Sequence, residues 1–132
     1  MIKKLLKPDA IWKKLLTLEQ YHILRERGTE LAFSGKYNKF KEKGTYFCIA
    51  CDNPLFSSSA KFDSGTGWPS FFQPVSDDAV IIQQYIGQQA DGAEVLCSRC
   101  DGHLGHIFLD GPKPAGKRYC MNSAVLVFKP DK

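Results

Sequence analysis

Two Cys-x-x-Cys pairs, Cys48-Ile-Ala-Cys51 and Cys97-Ser-Arg-Cys100, constrain this chain more than any other feature. The spacing lets two thiolates from one tight turn reach the same tetrahedral ion at ~2.3 Å. Each pair ends a strand-like run, Thr45 to Cys48 and Glu94 to Cys97. Turn formers follow, Asp52-Asn53-Pro54 and Asp101-Gly102. That is the pattern of a zinc knuckle. The stretch between the pairs is longer than in a compact zinc finger, so the fold must bring the knuckles together. Four thiolates fill a tetrahedral shell and leave no position for a reacting water. One Zn2+ held by Cys48, Cys51, Cys97 and Cys100 is therefore read as structural. Such a site contributes on the order of 10 kcal/mol to the folding of a small domain. Two other arrangements use the same residues. Either pair could be a redox dithiol, but that motif expects a thioredoxin-like βαβ context, which the sequence lacks. Alternatively, Cys97, Cys100, His103 and His106 follow one another at intervals of three, and a His could replace a Cys. That exchange would strand a thiol pair.

The remaining bulk properties set the scale. The 132 residues fit one domain, 1–132, large enough to bury roughly two thirds of its unfolded surface. The hydrophobic fraction of 43% and charged fraction of 24% suit a globular chain. The net charge of +4 is mild. Lysines 3, 4, 7, 13, 14, 36, 39, 41 and 43 are spread like solvated faces, not like a nucleic-acid patch. No apolar run reaches the ~18 residues that cross a bilayer, and Met1 to Lys7 has no signal-peptide core. The expectation is a cytoplasmic protein with no membrane or nucleic-acid partner. In a reducing compartment five cysteines are better metal ligands or catalytic thiols than disulfides, and five is odd.

Residues 1–35 read as helical. Ile11, Trp12, Leu15 and Leu16 form a short amphipathic stretch after Pro8-Asp9. Thr17 and Gln20 match a capping box for a second helix carrying Leu18, Tyr21 and Leu24, which Gly28 can stop. Gly35 to Gly44 reads as a connection. Residues 44–130 read as a β core. Thr45 to Ile49, Val80 to Ile86, Glu94 to Cys97, His106 to Leu109 and Ala124 to Phe128 are short β-branched or aromatic runs between turn formers. Few gaps hold a crossover helix, so pairing should be antiparallel.

Cys120 is the cysteine left over. It lies in Gly116-Lys117-Arg118-Tyr119-Cys120-Met121-Asn122-Ser123, after a Gly/Pro-rich turn and before the last expected strand. Arg or Lys neighbours favour a thiolate. A buried, inert cysteine fits the spacing equally well. His103-Leu104-Gly105-His106 is expected on a turn just after a knuckle, where histidines can donate protons near neutral pH. His22, in a helix, is read as structural. Gly65-Thr66-Gly67-Trp68-Pro69-Ser70-Phe71-Phe72 is either a core cluster under a loop or an apolar wall for a small hydrophobic group.

Three segments together resemble one family. Lys61 to Phe71 (KFDSGTGWPSF), Gly102 to Phe108 (GHLGHIF) and Arg118 to Ala124 (RYCMNSA) are similar to the type B peptide methionine-R-sulfoxide reductases. Both Cys-x-x-Cys pairs fit the zinc-containing branch. The resemblance runs from about Thr17 to Phe128. It implies two antiparallel β-sheets with helices at the N-terminal side. It also implies reduction of the R epimer of methionine sulfoxide, mainly in oxidised proteins, as a repair reaction. By resemblance Cys120 is the nucleophile and Trp68 contacts the substrate S-methyl group. His103, His106 and Asn122 would orient and polarise the sulfoxide, and Arg118 would help hold Cys120 as a thiolate. A Cys120 sulfenic acid would then be reduced by a thiol.

One departure stands out. Many members carry a resolving cysteine where this chain has Thr66. The expectation is a one-cysteine enzyme regenerated by thioredoxin or a small thiol, with a monomer as the simplest assembly. Three other functions compete: a non-enzymatic zinc module, a zinc-releasing redox switch and a metallohydrolase. The last needs an open metal position, which four thiolates do not leave.

Overall fold

A computed structural model describes residues 3–84 and 91–131. The chain opens with two short helices, α1 (Asp9–Leu15) and α2 (Leu18–Glu26). The Thr17 hydroxyl accepts from the Gln20 main-chain N–H at 3.1 Å, and the Gln20 side chain accepts from the Thr17 N–H at 2.9 Å. The capping box expected from the sequence therefore starts α2. Its end differs slightly from expectation. Arg27, not Gly28, takes the left-handed conformation, with φ 60°. Gly28 is needed for space, because a side chain there would collide with the His22 ring. His22 also pairs with Glu26 one turn on, at 3.3 Å, in keeping with a structural role.

The rest is mainly β. Strands β1 (Gly44–Cys48), β2 (Pro54–Ser57), β3 (Lys61–Phe62), β4 (Ser70–Phe71), β5 (Val80–Gln83), β6 (Ala93–Cys97), β7 (His103–Phe108), β8 (Arg118–Met121) and β9 (Leu126–Pro130) form two antiparallel sheets. The smaller has the order β2-β1-β9, the larger β3-β4-β8-β7-β6-β5. Pro54, which has no N–H, is tolerated because it begins an edge strand. Tyr46 of β1 and Phe56 of β2 reach across to Phe71 of β4, with ring centroids 5.2 and 4.5 Å apart. All three are buried and hold the sheets together. Helix α2 packs on β7 and on the 3-10 turn Ser123–Val125.

Several boundaries moved. The last strand begins at Leu126, because Ser123–Val125 coils first. The expected run Val80 to Ile86 is a strand to Gln83, and its last two residues lie outside the described residues. The strands β2, β3, β4 and β8 were not expected. Two of them are only two residues long, too short for a period to register. Cys120 lies within β8, and the two histidines lie in β7, not on a turn. No helix among the described residues is long and apolar enough to cross a membrane.

Candidate active site and metal cluster

The two knuckles close in the same way. After each pair an aspartate takes the left-handed conformation: Asp52 and Asp101, each with φ 62°. The Asp52 N–H donates to Cys48 O at 2.9 Å, and the Asp101 N–H to Cys97 O at 2.8 Å. The Cys48 N–H returns to Asn53 O, and the Cys97 N–H to Gly102 O. The fold then sets one knuckle against the other. All four Sγ atoms lie within 4.8 Å of one another, and all four cysteines are buried. Contacts of 3.8 Å (Cys48–Cys100) and 3.4 Å (Cys51–Cys97) cross between the pairs. A tetrahedral ion with ~2.3 Å bonds needs sulfurs about 3.8 Å apart, so the cluster fits one. The cluster's chemistry agrees. Four buried sulfur donors converge on one point, a donor set that suits Zn2+. Histidine exchange does not fit, because the potential ligand atoms that cluster are the four Sγ atoms, with no histidine nitrogen among them.

The second site is laid out by strand register. Residues opposite each other in paired strands share a face. Ser70 lies opposite Cys120, Cys120 opposite His106, and His106 opposite Glu94. One row thus crosses β4, β8, β7 and β6. The period of two adds Arg118 and Phe108 to the same face, and these are themselves register partners. His103 is three residues from His106 and would face away in a regular strand. A bulge opposite Val95 and Leu96 leaves Leu104 extra and restores the phase. The two imidazoles end with centroids 5.1 Å apart.

A cavity of about 200 Å³ opens on this row. Of the residues expected from the sequence, it brings together Cys120, His106, Asn122, Arg118 and Trp68, with Thr66 beside them. His103 stands behind His106, 2% exposed, with its other face on Glu94. Glu94 Oε1 in turn meets Arg27 Nε at 3.3 Å. The Trp68 indole N–H donates to Glu30 O at 3.0 Å. The Asn122 amide donates to Leu104 O at 2.9 Å and accepts from the Glu30 N–H at 3.0 Å. Arg118 is anchored on Asp110 at 2.9 Å and lies 4.3 Å over the Phe108 ring.

Protonation follows burial. Burial pushes the Cys120 thiol up, and the Arg118 charge and bonds from Thr66 and Arg118 pull it only partly back. Burial likewise pushes His103 and His106 down, against the nearby Glu94 carboxylate. At neutral pH the resting pair is therefore a thiol beside a neutral imidazole. Arg118 opposes the burial cost at Cys120 without overcoming it.

The sequence patterns did not single out Glu30, Glu94, Thr29 or Phe108. A period-two reading of Arg118-Tyr119-Cys120-Met121 would have found β8, and the same reading of His106-Ile107-Phe108 would have set Phe108 on the His106 face. No local pattern marks Glu30, whose partners are distant in sequence, or Glu94, which meets His103 only once β6 and β7 have paired.

A family model described as the SelR domain matches residues 16–130. The chain belongs to the peptide methionine sulfoxide reductase B family. It is 56% identical over 123 residues to the peptide methionine sulfoxide reductase MsrB of Leptospira interrogans, covering 93% of this chain and 94% of that one. It is 55% identical over 123 residues to the protein of the same name in Methanosarcina barkeri, covering 93% and 87%. For that of Pseudomonas putida the figures are 54% over 119 residues, with 90% of each chain covered. The matched span nearly coincides with the Thr17 to Phe128 expected from three short motifs. The four-cysteine cluster is consistent with the zinc-containing branch of this reductase family.

Proposed function

We propose that residues 1–132 act as one methionine-R-sulfoxide reductase domain, with Cys120 as nucleophile and oxidised proteins as the main substrates. The observation that carries this is the cavity in which Cys120, His106, Arg118 and Asn122 meet an indole wall, Trp68. A volume of about 200 Å³ admits one side chain and little more. The substrate S-methyl group would lie against Trp68, which turns its polar N–H away to Glu30. That leaves the apolar indole surface for the methyl.

His106, neutral at rest, takes the Cys120 proton, and Cys120 Sγ then attacks the sulfoxide sulfur as a thiolate. His106, or a water it holds, delivers a proton to the sulfoxide oxygen. The S–O bond of the substrate breaks and an S–O bond to Cys120 forms. Methionine leaves reduced by two electrons, and Cys120 becomes a sulfenic acid. His103, locked on Glu94, fixes the His106 ring from behind. Asn122, with its amide pinned at both ends, would fix the sulfoxide. Arg118 limits the cost of a buried thiolate.

The metal in this reading is one structural Zn2+. Its ligands would be the four thiolates of Cys48, Cys51, Cys97 and Cys100, and it would supply rigidity rather than chemistry. Two external thiols then reduce the sulfenic acid, releasing water and leaving a disulfide between them. Thr66 borders Cys120 where a resolving thiol would sit, and the other four cysteines are gathered in the cluster. Thioredoxin or a small thiol in a reducing cytoplasm suits that requirement.

The test is an assay on both sulfoxide epimers, with dithiothreitol and with thioredoxin, for the wild type and Cys120→Ser. The expected result is activity on the R epimer alone, lost in Cys120→Ser with metal content unchanged. Activity surviving in that variant would overturn the assignment.

A further inference from the structure

Glu30 is a carboxylate that the chemistry above does not use, yet it is 6% exposed inside the domain. Burial pushes its carboxyl up, and bonds from Ala124 and Ser123 pull it partly back. Such a group is costly unless its bonds matter. Three of them lead to the candidate site. Its main-chain N–H donates to Asn122 Oδ1 at 3.0 Å. Its main-chain carbonyl accepts from Trp68 Nε1 at 3.0 Å. Its side-chain Oε1 accepts from the Ala124 N–H at 2.9 Å, in the turn that follows Asn122. The carboxylate lies close against Gly35, where a side chain would collide with Oε2 and with the Ser123 hydroxyl.

The consequence is geometric. Trp68 comes from the loop before β4, and Asn122 directly follows β8. Neither hydrogen-bonds to the other, but both are bonded to one residue. The side chain of that residue is tied to the 3-10 turn that directly follows Asn122. Accepting at Oδ1 also fixes which way the Asn122 amide points.

We propose that Glu30 is a positioning residue that sets the separation between the Trp68 wall and the Cys120–Asn122 side of the cavity. This rests on the reading that the cavity reduces methionine sulfoxide. Loss of the carboxylate frees the Thr29–Leu31 backbone, so the indole and the amide drift together. A displacement near 1 Å costs about 10²-fold in rate.

The test uses Glu30→Gln, Glu30→Asp and Glu30→Ala in the zinc-loaded protein. Gln keeps the length and one acceptor, while Asp keeps the charge and loses the reach. The expected order of kcat/KM is wild type, Gln, Asp, Ala, with Gln within about tenfold and Ala down about 10²-fold. Both kcat and KM should change, because both walls move. The chain has two tryptophans, so its indole N–H region of an NMR spectrum holds two resonances. That of Trp68 should shift and exchange faster in Asp and Ala. Wild-type kcat/KM with an unmoved resonance in Asp would overturn the inference. So would a loss that follows only the fraction unfolded. If Ala does not fold, equal kcat/KM for Gln and Asp overturns it. Cys120→Ser runs alongside. If that variant stays active, the catalytic reading fails. If it is dead while Asp is unaffected, only the role of Glu30 fails.

Discussion

Cys120 and His106 are register partners, facing each other across the β7–β8 ladder. The nucleophile and the proton donor proposed here are thus fixed by main-chain hydrogen bonding rather than by a flexible loop. Such precision suits a reaction in which the reacting atoms must align within fractions of an ångström.

Gly105 tests that dependence. It sits beside His106, and a Cβ there would collide with the main-chain carbonyl oxygen of Cys120. Backbone cannot step aside as a side-chain tip can. Gly105→Ala is expected to lower stability by about 1–3 kcal/mol, as overpacking does. It should lower kcat/KM by more than that implies, on the order of 10²-fold. Denaturant melts and steady-state rates on the same preparation check both.

Cys120 reactivity should carry the mark of burial. Its thiol is pushed up, so the thiolate fraction should rise at pH values above the ~8.5 of a free thiol. Iodoacetamide labelling of Cys120, read by peptide mass mapping, should reach half its plateau rate above that pH. Arg118→Met removes the opposing charge and should move the midpoint higher still. A midpoint below the free-thiol value would contradict the dominance of burial.

Acid should destabilise the fold through the histidine pair. Both His103 and His106 are pushed down by burial, so the unfolded chain takes up protons first. Their contribution is present above the unfolded value of ~6.5 and is lost as pH falls through the folded values. Urea midpoints from pH ~7.5 downward should fall. The slope should flatten in His106→Gln.

Thr66 borders Cys120 in the cavity. After one turnover without reductant, the wild type should hold a sulfenic acid that dimedone traps. Thr66→Cys should instead yield a disulfide between the introduced thiol and Cys120 on mass mapping. That variant should also accept electrons from thioredoxin faster. A disulfide from Cys120 to a native cysteine would refute external regeneration.

Removing the proposed Zn2+ should unfold the domain. A contribution on the order of 10 kcal/mol rivals the whole stability of a domain, roughly 5–15 kcal/mol. Cys97→Ser is expected to lose zinc by elemental analysis and to lose its cooperative melt by circular dichroism. Retained folding would show the cluster to be dispensable.

Local patterns gave much of this away. Cys-x-x-Cys followed by Asp is a local turn, so the cysteines that cluster were legible from their spacing, as was the Thr17–Gln20 cap. The strands β3 and β4 were not legible, since two residues carry no period. Nor was the phase of the histidines. Three-residue spacing points to a turn or helix, and only a bulge makes it work in a strand. Glu30 was silent because its bonds to Trp68, Asn122 and Ala124 reach residues remote in sequence, and Glu94 because it meets His103 only once β6 and β7 have paired.

By itself the sequence determined which atoms were available: four thiolates in two knuckles, one thiol over, Thr66 in place of a second. Spacing along a chain is enough for that, because a knuckle is closed by its own few residues. Tertiary structure decided what the leftover thiol meets. Register set Cys120 opposite His106, the bulge turned His103 in behind it, and Glu30 joined Trp68 to Asn122. Those relations depend on strands pairing across long separations, and burial, outweighing Arg118, then pushes the Cys120 thiol up.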